Sequence, residues 1–298
     1  MHISIKLYKF APKKDFIPMI YTQQKELHSL METLKNQGKT IGLVPTMGAL
    51  HDGHLSLIKK AKKENDIAVV SIFVNPTQFN NPTDLEKYPR TLTADADKIA
   101  QYSKEVIIFA PTVDDIYGKE VVAQPFDFAG LDKVMEGSSR PGHFDGVGTI
   151  VKKLFEIVMP DRAYFGEKDY QQLLIIQQMV RQTGLPVTIV PCPIVRNSEG
   201  LALSSRNALL SEAMTQRASF IYRTLLAAKE RFATHTPAEV EAWVVDTFAK
   251  EPDFTLEYFT ITDAHTLQHI TTKEADKEYR AFIVVYAEGV RLIDNLAM

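Results

Sequence analysis

The chain is 298 residues long, 45% hydrophobic and 24% charged, the balance of an ordinary globular protein with room for a large core and two domains. Lys and Arg number 34 against 37 Asp and Glu, a formal charge of −3, which excludes the broad basic footprint of a nucleic-acid binder but not a local basic pocket. One cysteine, Cys192, excludes an internal disulfide and thiolate-rich metal sites and points to a reducing compartment, and no stretch is long and apolar enough to span a membrane.

Residues 1–18 are basic and aromatic and lack the unbroken apolar core of a secretory signal. They read as an extension, or the product of an upstream start, ahead of a domain beginning near Met19, where a helical pattern starts. Thr22 to Gln37 predicts a helix with Leu27, Leu30, Met31 and Leu34 on one face and Gly38 as its stop. Ile41 to Val44 predicts a strand, Pro45 to Gly53 a turn, and His54 onward a helix carrying Leu55, Ile58 and Lys62 at helical spacing. A helix N-terminus has unpaired N–H groups and a partial positive charge, which suit phosphate. Gly48 and Gly53 let the backbone approach a ligand, and His51 and His54 add donors for a reacting phosphoryl group. The segment has neither GxGxxG spacing nor a P-loop ending. Caps or ordinary surface residues are the plain structural alternative for the two histidines, and a zinc site on them is a weaker one.

Ile67 to Val74 predicts a strand buried on both faces, ending at Asn75-Pro76. Gln78 follows it, either a turn residue or an amide that donates to and accepts from a ligand. Thr93 to Ser103 predicts a helix. Its Asp95 is a candidate magnesium ligand, against the ordinary preference of acids for helix starts. Val106 to Phe109 predicts another strand, Glu136 to Phe144 a polar loop able to gate a site, and Gly146 to Val158 a helix stopped by Pro160. Ala163 to Phe165, Asp169 to Thr183 and Val187 to Val190 continue as strand, helix and strand. Between the first two, Lys168 sits at a helix start, unfavourable unless an anion is present; pairing with Glu167 in solvent is the alternative. Asp169 suits an N-cap, and Gln172 lies one turn further in. Strands alternating with helices predict an α/β fold, a Rossmann-like doubly wound parallel sheet with ligands at its carboxyl edge.

The pattern changes near Pro191-Cys192-Pro193. Ser204, Ser205 and Arg206 then form either a capped loop or a mobile strap over a nucleotide. Helices are predicted at Ala213 to Ala233 and Pro237 to Lys250, the latter opened by a Thr236–Glu239 capping box, and strands at Phe254 to Thr262, Ala281 to Ala287 and near Val290. The division expected is therefore 1–18 as extension, 19–193 as nucleotide- and substrate-binding domain, and 194–298 as a smaller α+β lid domain.

Six runs, PTMGALHDGH, VSIFVNPTQF, DLEKYPRTL, SRPGHF, FGEKDYQQL and GLALSSRN, together resemble one family, the pantoate–β-alanine ligases (pantothenate synthetases). They fall in that family's order between Ile41 and Leu210; RLIDN near the end matches more loosely, and residues 1 to about 18 lie outside. The resemblance implies a homodimeric cytoplasmic enzyme of the His-x-Gly-His nucleotidyltransferase superfamily, distantly akin to class I aminoacyl-tRNA synthetases. It implies joining of D-pantoate to β-alanine with ATP and Mg²⁺, through a pantoyl-adenylate, releasing AMP and pyrophosphate, without nucleic acid or membrane. Carried over by position, Met47, Gly48, Ala49, Leu50, His51, Asp52, Gly53 and His54 line the ATP site, with His54 as proton donor. Gly166, Glu167, Lys168 and Asp169 hold ATP, Val195 lies beside adenine or ribose, and Leu203, Ser204, Ser205 and Arg206 cover the phosphates. Gln78 and Gln172 contact pantoate, Gln78 also β-alanine, and Asp95 matches a position linked to magnesium. His51, His54, Lys168 and Arg206 are the expected catalytic set. The rivals are a related adenylyltransferase acting on another small acceptor and a nucleotide- or tRNA-binding protein without ligase activity.

Overall fold

The structure, a computed structural model, describes residues 19–298; the extension expected at 1–18 lies outside the described residues. Six strands form one parallel sheet: β1 (Ile20–Tyr21), β2 (Ile41–Thr46), β3 (Ile67–Ile72), β4 (Ile107–Phe109), β5 (Arg162–Gly166) and β6 (Thr188–Cys192). Their spatial order is β1-β4-β3-β2-β5-β6. Alternation sends successive side chains to opposite faces, so each central strand feeds two cores. Leu43 and Val69 pack with Leu27, Met31, Val147 and Leu154 on one face. Val44 and Val70 pack with Leu57, Ile58, Ile99 and Tyr164 on the other. Burying each such side chain contributes on the order of 1.5–3 kcal/mol, so the doubly covered strands anchor the fold.

β2 and β5 are neighbours, but the chain leaves β2 toward β3 and leaves β5 toward β6, away from each other. That divergence opens a crevice beyond the carboxyl ends of β2 and β5.

Four local expectations need correction. Met19–Tyr21 is extended, not helical: the Met19 and Tyr21 carbonyls accept from the N–H groups of Ile108 and Ala110 at 2.9 and 2.8 Å, so a free strand edge decides its conformation. Met135–Ser139 is a short helix inside the expected loop. The helix expected from Gly146 starts at His143 and runs to Val158, with Gly142 left-handed (φ 76°) at its N-cap. This helix backs onto Pro76–Gln78 so closely that a Cβ at Gly146 would lie 2.2 Å from the Thr77 carbonyl oxygen, contact only glycine permits. β6 also runs one step past the proline expected to end it; as an edge strand it tolerates Pro191.

β7 (Phe254–Asp263), β8 (Tyr279–Ala287) and β9 (Val290–Ala297) form an antiparallel meander. Helices Ser219–Phe232 and Pro237–Phe248 cover it through Ile221, Leu225, Val240 and Val244. The Thr236–Glu239 capping box is present: the Thr236 hydroxyl accepts from the Glu239 N–H, and the Glu239 carboxylate accepts from the Thr236 N–H. The two sheets meet directly. Leu267 and Phe282 share a core with Phe165 and Leu173, and Asn295 of β9 donates to the Glu167 and Lys168 carbonyls, both at 2.9 Å.

Candidate active site

The turn after β2 is assembled from within. Asp95, 1% exposed, accepts from the N–H groups of Ala49 (2.9 Å) and Leu50 (2.7 Å) and from the Thr91 hydroxyl (3.0 Å). Lys98 donates to the Leu50 carbonyl. Ala49 is left-handed (φ 51°) and Gly48 strongly so (φ 86°), a turn that a buried carboxylate over-determines. Asp95 thus positions the loop. Both its oxygens are taken by these donors.

The two histidines open helix Asp52–Glu64. His51 Nδ1 accepts from the Gly53 N–H (3.1 Å), and His54 Nδ1 accepts from the His51 N–H (3.3 Å). Both histidines are caps whose rings also line the cleft, and the capping bonds fix their tautomers. With each Nδ1 an acceptor, each ring proton sits on Nε2. The rings lie 4.1 Å apart, centroid to centroid. Burial, then the Lys168 charge, lowers His51 to about 4; burial, then His51, then Lys168, lowers His54 to about 3. The pair is neutral at physiological pH and presents two N–H donors, not an imidazolium acid. Gly53 is required by the same geometry, since a Cβ there would stand 2.8 Å from the His51 ring.

Across the crevice, the turn after β5 carries Lys168. Its ammonium lies 3.9 Å from Asp169 and is 17% exposed, in a setting that favours an incoming anion. Glu167 turns away to Arg280 (3.4 Å) rather than pairing with Lys168. Gln78, 9% exposed, receives the Asn75 amide on Oε1 at 3.1 Å, and its own NH₂ donates to Met47 Sδ at 3.0 Å. The Gln78 carbonyl takes two donors, His143 Nδ1 at 2.8 Å and Arg140 at 3.3 Å.

A cleft of about 340 Å³ joins these groups. Met47, His51, Gly53 and His54 line it from β2; Gly166, Lys168, Asp169 and Gln172 from β5; Gln78 from β3. Val195, Leu203, Ser204, Ser205 and Arg206 close one side. The expected residues that do not line it are Gly48, Ala49, Leu50, Asp52 and Glu167, which shape the two turns instead, together with Asp95 behind them. Ser204 caps a short 3₁₀ turn, accepting from the Arg206 N–H (3.2 Å), while Asn207 accepts from the Ser204 N–H (2.6 Å). Tyr88 reaches Ser205 from the opposite rim and lies near Arg206; burial raises its hydroxyl pKa.

Several lining residues had no assigned role in the sequence: Asn75, Tyr88, Arg140, His143, Tyr258 and Arg291. Four of them stand inside or beside the quoted runs, where a buried polar residue beside Gln78 is the only local signal. Tyr258 and Arg291 arrive from the antiparallel sheet. Arg291 grips Glu136 at 2.6 Å and Glu257 at 2.7 Å, and a contact across that sequence distance leaves no local trace.

A protein-family model, Pantoate-beta-alanine ligase, matches residues 19–297. The pantothenate synthetase of Christiangramia forsetii is 50% identical over 279 residues, covering 94% of this chain and 99% of that one. That of Phocaeicola vulgatus is 54% identical, covering 91% and 96%. Among solved structures, pantothenate synthetase from Thermus thermophilus superposes with a TM-score of 0.83 at 39% identity, covering 93% and 98%. A pantoate-β-alanine ligase from Francisella tularensis, solved with β-γ ATP and β-alanine, gives 0.72 at 36%, covering 94% and 97%.

Proposed function

The chain belongs to the pantoate–β-alanine ligase family, and we propose on that premise that it condenses D-pantoate with β-alanine at the expense of ATP, by way of a pantoyl-adenylate. The observation that carries the reading is the single cleft that gathers the two imidazoles, Lys168, Arg206 and the glutamines Gln78 and Gln172.

A carboxylate resists attack by an amine because oxide is a poor leaving group. Adenylation replaces it with AMP. The pantoate carboxylate attacks the α-phosphorus of ATP in line, the new C(O)O–P bond forms, and pyrophosphate departs with the electrons of the broken P–O bond. Negative charge shifts onto phosphoryl oxygens during that step, and donors fixed in advance stabilise it without reorganising. Here they are the Nε2–H groups of His51 and His54, the Lys168 ammonium and the Arg206 guanidinium. His54 acts as a neutral hydrogen-bond donor in this scheme, a change from the proton-donor role expected. Gln78 and Gln172 hold pantoate, and positioning contributes several kcal/mol, up to about 7–11 in ideal cases. A magnesium ion accompanying the triphosphate would add further positive charge against the phosphoryl oxygens, beside that of Lys168 and Arg206. The amine of β-alanine then attacks the acyl carbon and AMP leaves. A cytoplasmic homodimer, with residues 194–298 as the covering domain, completes the proposal; among the described residues no helix is long and apolar enough to cross a membrane.

Isotope exchange between pyrophosphate and ATP tests it. Exchange is expected only with pantoate present, and His54→Ala or Lys168→Ala is expected to lower it more than tenfold, about 1.4 kcal/mol. Exchange without pantoate, or indifference to both substitutions, removes the adenylate from the scheme.

A further inference from the structure

Amide formation needs a proton acceptor, and neither phosphate-binding imidazole is placed to serve: each spends its Nδ1 on a backbone N–H and keeps its proton on Nε2. His143 has the opposite tautomer. Its Nδ1 faces the Gln78 carbonyl oxygen at 2.8 Å, and a carbonyl only accepts, so Nδ1 carries the proton and Nε2 the lone pair. His143 is 6% exposed, lines the cleft, and its Nε2 has no hydrogen-bond partner among the described residues. It stands at the first turn of helix His143–Val158, which is locked against Pro76–Gln78 at Gly146. The ring is therefore held rigidly beside the amide that receives the substrates.

We propose that His143 Nε2 is the proton acceptor for the amine in the second half-reaction, a role that rests on the ligase reading above. β-Alanine arrives as the free amine, having lost its first proton to water. The nitrogen lone pair bonds to the acyl carbon. His143 takes the proton from that nitrogen as the C–O bond to AMP breaks, and AMP leaves with the bonding pair. The imidazolium then returns its proton to solvent at the cleft mouth.

The charged groups acting on the ring come from three elements: Arg140 just before its own helix, Glu136 from the short helix Met135–Ser139, and Asp169 from the turn after β5. Burial first, then Arg140, lowers His143 to about 4, against the opposing effects of the Gln78 bond and the two carboxylates. The ring is thus neutral, with the Nε2 lone pair ready to accept at physiological pH. Loss of a general base typically costs about 10²–10⁴-fold.

The test separates the two half-reactions. His143→Asn keeps an N–H for the Gln78 carbonyl and deletes the Nε2 lone pair. Pantoate-dependent pyrophosphate–ATP exchange is expected to stay within about threefold of the parent. Conversion of preformed enzyme-bound pantoyl-adenylate by β-alanine is expected to fall at least about a hundredfold. Capture of the same adenylate by hydroxylamine, whose adduct nitrogen sheds its proton readily to water, is expected to change little. In His143→Ala, added imidazole is expected to restore amide formation in proportion to its concentration. Parallel loss of exchange and amide formation, equal loss of hydroxylamine capture, or no rescue would leave His143 a mere support for Gln78 and overturn the proposal. Failure of pantoate-dependent exchange in the unsubstituted protein is a separate result and counts against the ligase reading instead.

Discussion

The turn after β2 and the strap at Leu203–Arg206 face the same cleft but are held in different ways. The first is fixed by burial: Asp95 gathers two backbone N–H groups and a hydroxyl, Lys98 holds a carbonyl, and the histidines cap the helix they begin. The second is held more lightly, by a Ser204–Asn207 capping pair and the Tyr88–Ser205 contact, with Arg206 exposed and Leu209 69% exposed. Half of the site is thus complete before any ligand arrives. The other half leaves the Arg206 side chain open to a ligand. Pre-organisation suits groups that stabilise a transition state, whereas a weakly held strap suits a cover that must release products.

Replacing Asp95 puts the contrast under the greatest strain. Asp95→Ala orphans the buried N–H groups of Ala49 and Leu50, and a loss of about 2–4 kcal/mol in denaturant unfolding is expected, together with exchange activity down more than about a hundredfold. Unchanged stability would mean that the turn holds itself.

Acidification probes the same buried half. His51, His54 and His143 lie at about 4, 3 and 4, all lowered by burial. Unfolding frees each to protonate near 6.5, so between about pH 6.5 and 4 the unfolded chain binds more protons and stability falls as pH falls. Each such proton steepens the slope by about 1.4 kcal/mol per pH unit. Melting temperatures across that range should drop, and less steeply in His143→Asn. A flat profile there would contradict the neutral, buried assignment.

Arg206→Ala addresses the strap. Adenylation is expected to fall about 10- to 100-fold, roughly 1.4–2.7 kcal/mol, while unfolding moves by no more than about 0.5 kcal/mol. A clear drop in melting temperature would show that the strap is structural after all. The smallest effect on activity is expected from Asn295→Ala, which frees two carbonyls under Lys168 and the Arg280 guanidinium that its own carbonyl receives. A loss of about 1 kcal/mol in stability and a severalfold rise in the KM for ATP, with kcat nearly kept, would mark it as a positioning residue. A fall in kcat alone would assign it differently.

What the sequence revealed follows from the range of the forces involved. The apolar runs at β2 to β5, the glycine and proline stops and the Thr236 box are local, and each surfaced where expected. The cleft residues His54, Lys168 and Arg206 were legible for the same reason, as polar groups directly after strands or beside turn signals, whereas Met47 came only with the family resemblance. β1 was not, because a two-residue strand exists only through the edge of β4. The hold of Asp95 on its loop was not legible, because a lone carboxylate at a helix start gives no sign of a partner 45 residues away. Arg291, Asn295 and Glu136 were invisible as partners, since only the meeting of the two sheets brings them together.

Asn295 has one more consequence. A single carboxamide on β9 bridges two successive carbonyls beneath Lys168, so that lysine is a passenger of the antiparallel sheet as much as a member of the parallel one. The place of the cation is therefore set from both sheets, so a change on β9 reaches Lys168 without touching its side chain.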